Sequence, residues 1–136
     1  MEISPYLLFN GNCADAFKFY EQSLGGKVTF IQKFGESPMA DQVPADWRDK
    51  IMHVTMKVGE GVLMGTDASP AHYAAPQGIS VSIAPTTPEE GERIFNALAD
   101  QGKVGMPFQK TFWSPGFGMT VDRFGISWIV NCEPAA

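Results

Sequence analysis

An internal repeat constrains this chain more than any other feature. Gly26-Lys27-Val28 recurs 76 residues on as Gly102-Lys103-Val104, and the same offset carries Phe19 onto Phe95. Around each tripeptide the residue pattern predicts the same order of elements. In the first half a strand starts near Ser4 and includes Tyr6-Leu7-Leu8-Phe9, and Asn10-Gly11-Asn12 breaks it. Asn12 then caps a helix with Asp15 in its first turn, a buried stripe of Ala16, Phe19, Tyr20 and Leu24, and a left-handed stop at Gly25-Gly26. A strand follows from Lys27 to Phe34, with Val28 and Phe30 on one face and Thr29 and Ile31 on the other. Two more strands, Ile51 to Val58 and Gly61 to Thr66, are joined by a hairpin at Gly59-Glu60-Gly61. The second half opens with a short strand, Ile79 to Ile83. Its helix starts at Thr87-Pro88-Glu89-Glu90, which supplies a cap, a proline at the first helical position and a capping box. Ile94, Phe95 and Leu98 form its buried stripe and Gly102 ends it. Strands at Lys103 to Phe112, Phe117 to Val121 and Ser127 to Asn131 complete the copy, with the turn Asp122-Arg123-Phe124-Gly125 before the last. The fold class is therefore α+β: two βαβββ modules in tandem, 1–67 and 78–136, inside a single domain spanning 1–136. A unit that cannot bury its own face implies that the two copies share a core.

Composition narrows the function. The net charge is −5 and no basic stripe is visible, which argues against nucleic acid as a partner. No apolar run approaches the ~20 residues of a membrane span. Met1-Glu2-Ile3-Ser4-Pro5 has neither the basic nor the apolar region of a signal peptide. Two cysteines, Cys13 and Cys132, are too few for a disulfide scaffold. The expectation is an acidic cytoplasmic protein. Gly35 to Lys50 is a long irregular stretch of the kind that serves as a lid, a binding loop or a subunit contact. Asp67 to Gln77, rich in alanine and proline, reads as a linker.

Several motifs taken together carry a resemblance. They are Tyr6-Leu7-Leu8-Phe9-Asn10-Gly11-Asn12-Cys13 running into Ala16-Phe17-Lys18-Phe19-Tyr20, then Leu24-Gly25-Gly26, Lys50-Ile51-Met52-His53 and Leu63-Met64-Gly65-Thr66-Asp67. Gly102-Lys103-Val104, Thr111-Phe112-Trp113, and Asp122-Arg123-Phe124-Gly125 leading to Trp128 continue the series. Over nearly its whole length the chain resembles the PhnB-like branch of the vicinal oxygen chelate superfamily, which includes glyoxalase I, bleomycin-resistance proteins and extradiol dioxygenases. The resemblance implies mixed sheets curled around a cavity, usually in a homodimer. It also implies a question about metal. Metal-dependent relatives hold a divalent ion with inward-pointing His and Glu side chains from four strands. Those positions fall near Pro5, near Met64 or Gly65, within Ile79 to Ser82, and at Ile129. None is His, Glu or Asp, and shifting the frame by a residue rescues no more than one ligand. No cofactor is therefore expected. A replacement divalent site would need both histidines, His53 and His72, with Asp67 or Asp122 as the acid. Labels naming a demethylubiquinone methyltransferase attach to this branch; Val58-Gly59-Glu60-Gly61 is the nearest thing to a nucleotide loop, and it precedes a strand rather than a helix.

Chemistry-bearing residues follow from strand alternation. Met52, Val54, Met56 and Val58 suit the helix side of their strand, which puts His53 and Thr55 on the concave face. His53 there is either a general base or ligand contact, or a structural histidine bonded to a neighbour. Asp67 either orients His53 or caps the linker turn. Ser80 and Ser82 present hydroxyls on one face of their strand, and Trp113, Phe117, Met119 and Trp128 are either cavity walls or core. Cys13, at a helix N-terminus, has no nucleophile signature around it, and Cys132 carries no readable role. Three functions fit: a metal-independent binder of an unknown small molecule; a lyase, isomerase or dioxygenase using His53 as acid or base; or a dimeric scaffold.

Overall fold

The structure, a computed structural model, describes residues 1–134. The chain forms two compact units that divide between Ala74 and Ala75. The first comprises β1 (Tyr6–Phe9), α1 (Cys13–Leu24), β2 (Lys27–Lys33), β3 (Ile51–Val58) and β4 (Gly61–Asp67). Its sheet has the order β1-β4-β3-β2, with β1 parallel to β4 and the other pairs antiparallel. The second unit repeats this with β5 (Val81–Ile83), α2 (Pro88–Ala99), β6 (Lys103–Gln109), β7 (Phe117–Val121) and β8 (Ser127–Asn131), in the order β5-β8-β7-β6. The fold is thus α+β, two βαβββ units each with a mixed four-stranded sheet, as the repeat predicted.

The repeated tripeptide has one job in both units. A Cβ added at Gly26 would lie 2.8 Å from the Lys57 carbonyl oxygen, and one at Gly102 would collide with the Val121 carbonyl oxygen. Lys27 pairs with Lys57, and Lys103 pairs with Val121. In each copy the chain leaving the helix passes so close to the end of the neighbouring strand that only glycine fits.

Each helix covers one face of its own sheet. On α1 the buried residues are Cys13, Ala16, Phe17, Tyr20, Ser23 and Leu24, so Ala16, Tyr20 and Leu24 are buried as predicted, Phe17 joins them, and Phe19 is only half-buried. Gly65 on β4 makes room for Phe17: a Cβ there would sit 2.6 Å from Phe17 Cε1, so the missing side chain is the space the Phe17 ring fills. Phe17 packs edge-on to Phe9 and Tyr20, at 6.0 and 5.6 Å between ring centroids. Val54, Met56 and Leu63 complete this core from β3 and β4, each contributing roughly 1.5–3 kcal/mol by leaving water. On α2 the buried set is Gly91, Ile94, Phe95 and Leu98, facing Trp128 and Val130 on β8.

The helix ends differ from expectation in one instructive way. Thr87 caps α2, its hydroxyl accepting from the Glu90 amide at 3.1 Å. Asn12 makes no side-chain cap on α1. Its place is taken by Asp67, 54 residues away, whose Oδ1 accepts from the Cys13 amide at 3.0 Å. Gly25 does end α1 in the left-handed conformation, at φ 72°. At the end of α2 the left-handed residue is Gln101, at φ 60°.

Strand β2 carries a second correction. Val28 pairs with Met56 but Phe30 pairs with Thr55, so a bulge lies between them and the two side chains leave opposite faces of the sheet. Strands β1 and β5 are shorter than predicted, and Gly35 to Lys50 contains three short 3₁₀ turns. That segment is tied to the first unit by Phe34 donating to the Lys50 carbonyl, Gly35 donating to the Arg48 carbonyl, and Lys50 Nζ donating to the Gly11 carbonyl at 2.8 Å.

Candidate functional site

The face of the first sheet turned away from α1 carries the chemistry. Tyr6 pairs with Met64, Met64 with Thr55, and Thr55 with Phe30, so these four side chains form one row across all four strands. His53 lies one row over, opposite Gln32. Tyr6, Leu8 and Phe30 are 44%, 42% and 50% exposed, which is large for apolar residues in a sheet.

His53 is held from both sides. Its Nδ1 lies 2.9 Å from the Tyr6 hydroxyl and its Nε2 lies 2.9 Å from Thr55 Oγ1. The Tyr6 and Phe30 rings flank it at 5.4 and 5.9 Å. Burial raises the Tyr6 phenol above its ordinary pKa, against a smaller lowering by the Thr66 hydroxyl, so it is a neutral hydroxyl at physiological pH. The Thr66 hydroxyl itself donates to the Met52 carbonyl at 2.7 Å. The result is a continuous hydrogen-bonded chain, phenol to imidazole to hydroxyl, on a partly apolar surface.

The other predicted residues fall in distinct places. Asp67 is 2% exposed and points to the helix side, where Oδ1 accepts from Cys13 and Oδ2 accepts from the Ile51 amide at 2.8 Å. These bonds match neither of its two readings: the carboxylate clamps the starts of α1 and β3 rather than capping the linker turn, and it lies on the face of the sheet opposite His53. Trp128 is fully buried and its Nε1 donates to Asp122 Oδ2 at 2.8 Å, so it is core rather than an open wall. Asp122 also takes the Phe124 and Ile126 amides on Oδ1, which closes the turn before β8. On the second sheet Ser82, Ile129, Met119 and Met106 form the row across the strands, and Phe117 pairs with Asn131. That row contains no titratable group. The Ser80 hydroxyl bonds Ser127 at 2.7 Å. Trp113 packs edge-on against Phe112 and Phe117, at 4.7 and 5.2 Å, and borders a shallow depression of about 270 Å³ along the loop 110–115.

Tyr6 and Phe30 are the residues that sequence reasoning missed. Tyr6 reads as an ordinary strand residue, though its alternation with Leu7 and Phe9 places it on the face opposite the core. Phe30 reaches the His53 face only through the β2 bulge, for which the sequence carries no signal.

Both cysteines are free thiols and both are buried. Burial, then the Asp67 carboxylate, pushes the Cys13 thiol far up, and burial followed by Glu89 and Glu90 raises Cys132. Cys132 Sγ donates to the Thr87 carbonyl at 3.5 Å. His72 is occupied in its own turn, bonding the Ser69 hydroxyl at 2.7 Å. Among the described residues no three His, Cys, Asp or Glu side chains come together to hold a metal ion. At the ligand positions that the resemblance implies for the first sheet, near Pro5 and near Met64 or Gly65, the residues carry no imidazole or carboxylate. No helix among the described residues is long and apolar enough to cross a membrane.

Paired βαβββ units of this kind define the glyoxalase/bleomycin-resistance/dioxygenase fold. A glyoxylase/bleomycin resistance protein/dioxygenase domain from Frankia sp. shares it at a TM-score of 0.69 with 10% identity, over 98% of both chains. A protein from Bacillus cereus described as a putative 3-demethylubiquinone-9 3-methyltransferase, PhnB protein, superposes at 0.80 with 22% identity, over 97% of this chain and 99% of that one. Similarity is higher to PA1353 from Pseudomonas aeruginosa, with 50% identity, a TM-score of 0.89 and 98% of both chains covered. Protein YjdN of Escherichia coli is 37% identical over 96% of this chain and 95% of its own. The family model described as 3-demethylubiquinone-9 3-methyltransferase matches residues 1–131, and the chain belongs to that family, the PhnB-like branch of the vicinal oxygen chelate superfamily.

Proposed function

We propose that this protein binds a small molecule on the open face of its first sheet, without a resident metal, as a homodimer in the cytoplasm. The observation that carries the binding reading is the Tyr6–His53–Thr55 chain set among half-exposed Tyr6, Leu8 and Phe30. Ligand surfaces combine apolar area with a few placed polar groups, and this face has both. Support for metal independence comes from the resemblance, which puts the relatives' ligand positions near Pro5 and near Met64 or Gly65, where this chain carries no imidazole or carboxylate. The methyltransferase of the family's description is not part of this proposal. Val58 to Gly61 closes the β3–β4 hairpin, with Gly59 at φ 57°, and does not lead into a helix as a nucleotide loop does. The test is a fragment titration of isotope-labelled protein, freed of metal and confirmed so by elemental analysis. Shifts concentrated at Tyr6, Phe30, His53 and Met64 are the expected result; shifts that require added divalent ion, or that avoid this face, overturn the proposal.

A second reading has its own support: both ring nitrogens of His53 meet hydroxyls that relay protons, which suits an acid–base enzyme of lyase, isomerase or dioxygenase type. Its test is deuterium exchange at carbon next to the carbonyl of small ketones and aldehydes. Acceleration by the wild type, reduced about 10²–10⁴-fold in His53→Gln, is expected of acid–base catalysis, and equal exchange in both refutes it.

A further inference from the structure

The β2 bulge does more than bring Phe30 to the His53 face. Residues three apart on a regular strand point to opposite sides, and Lys27 and Phe30 are three apart. Because the bulge inserts an extra residue between Val28 and Phe30, both Lys27 and Phe30 point to the open face. Lys27 pairs with Lys57 of β3, and Lys57 pairs with Val62 of β4. On β3, Lys57 follows His53 and Thr55 on the same side, while Met56, between Thr55 and Lys57, is fully buried on the helix side. Two exposed lysines therefore stand directly opposite each other, one row beyond Tyr6, Met64, Thr55 and Phe30.

Such a pairing is unfavourable by itself, because facing like charges destabilise a sheet. Neither ammonium has an ion-pair partner among the described residues. The Glu21 carboxylate, close by in the chain, accepts instead from the Val28 amide at 3.0 Å, and Glu60, in the β3–β4 turn, pairs with neither lysine. The second unit supplies an internal comparison. Its own bulge, in β6, sets Lys103 and Met106 where the first unit has Lys27 and Phe30, but Lys103 faces Val121. The repeat keeps one lysine; the first sheet doubles it, on the face that carries His53.

An anion placed between the two ammonium groups turns their repulsion into attraction. It does so beside the Phe30 ring and the His53 imidazole, which lie 5.9 Å apart. We propose that the open face of the first sheet binds ring compounds that carry an anionic group, a carboxylate or a phosphate. Lys27 and Lys57 hold the anion, and the ring rests against Phe30 and His53. This names the ligand class of the binding surface proposed above and rests on that reading. The net charge of −5 repels anions from the molecule as a whole, so a preference for them must arise locally.

The experiment titrates metal-free, full-length, isotope-labelled protein with benzoate, phenyl phosphate, the neutral benzamide, and acetate, which has charge without a ring. Signals of Phe30, His53 and Met64 are followed. Expected at low salt is benzoate binding about two- to thirtyfold tighter than benzamide, the worth of two exposed ion contacts, with the advantage shrinking as salt rises. Tighter binding of phenyl phosphate than of benzoate assigns the pair to a phosphate, the reverse order to a carboxylate, and both orders keep the proposal. Lys27→Gln and Lys57→Gln each reduce the advantage and the double variant removes it, while Lys103→Gln leaves it intact; all three lysines are exposed, so the substitutions spare the core. Equal affinity for benzoate and benzamide, an advantage that survives in the double variant, or acetate binding as tightly as benzoate overturns the proposal and leaves the binding surface standing where benzamide shifts it. If no probe shifts Phe30, His53 or Met64, both the inference and the binding surface are wrong.

Discussion

Replacing Asp67 by alanine tests the reading of that residue as a clamp between distant segments. Its carboxylate joins the end of β4 to the first turn of α1 through the Cys13 amide at 3.0 Å, and to the start of β3 through the Ile51 amide at 2.8 Å. Both bonds are buried, and the residue is 2% exposed. A hydrogen bond to a charged acceptor contributes about 1.5–3 kcal/mol, and a buried amide left without a partner costs about as much. Two such bonds put Asp67→Ala at about 3–6 kcal/mol, a large share of the roughly 5–15 kcal/mol that holds a typical domain together. Asp67→Asn keeps one acceptor oxygen but turns an NH₂ toward the second amide, so about 2 kcal/mol is expected. Urea unfolding followed by tryptophan fluorescence, with the slope checked for constancy, reads both. The His53 ring nitrogens should stay where they are in Asp67→Asn, because the sheet lies between the two side chains. A loss under about 1 kcal/mol in Asp67→Ala, or a moved His53 in Asp67→Asn, would refute the clamp and revive Asp67 as the partner of the imidazole.

Four further outcomes follow from the same geometry. The Cys13 and Cys132 thiols are raised in the folded protein, by burial first. A group with a raised native pKa contributes fully below its unfolded value and loses that contribution as pH rises toward the native one. Stability should therefore stay level through neutral pH and fall above about pH 8.5, by up to ~1.4 kcal/mol per pH unit for each thiol; denaturation midpoints from pH 7 to 10 check this, and alanine at either cysteine should flatten the fall. Gly65→Ala places a Cβ 2.6 Å from Phe17 Cε1 and should cost about 1–3 kcal/mol, with Phe17→Leu restoring part of it. Trp128→Phe removes the donor to Asp122 Oδ2 in the second core and should cost about 1–3 kcal/mol by chemical denaturation. His53→Ala, on the half-exposed face, should change stability by less than about 1 kcal/mol while eliminating the shifts of Tyr6 and Thr55 seen on ligand titration.

Local chemistry made much of this protein readable in advance. The βαβββ repeat was visible because glycine recurs where only glycine fits, beside Lys57 and beside Val121. The cap at Thr87, the left-handed stop at Gly25 and the Gly59 hairpin depend on residues within one turn of each other, so their signals lie side by side in the chain. The alternation on β3 likewise put His53 and Thr55 on one face, and they meet there at 2.9 Å.

What the sequence determined by itself, then, is the order of elements, the family and the faces of regular strands, since each rests on short-range periodicity. Tertiary structure alone decided four other things. The bulge that brings Phe30 to the His53 face follows from pairing with β3, not from β2's own residues. Phe17 is buried where Gly65, on a strand some 48 residues away, leaves room for its ring. Asp67 caps a helix 54 residues before it, and Tyr6 reaches His53 across 47. Contacts over such separations depend on how strands align after the chain has closed its loops, and no window of sequence contains both partners.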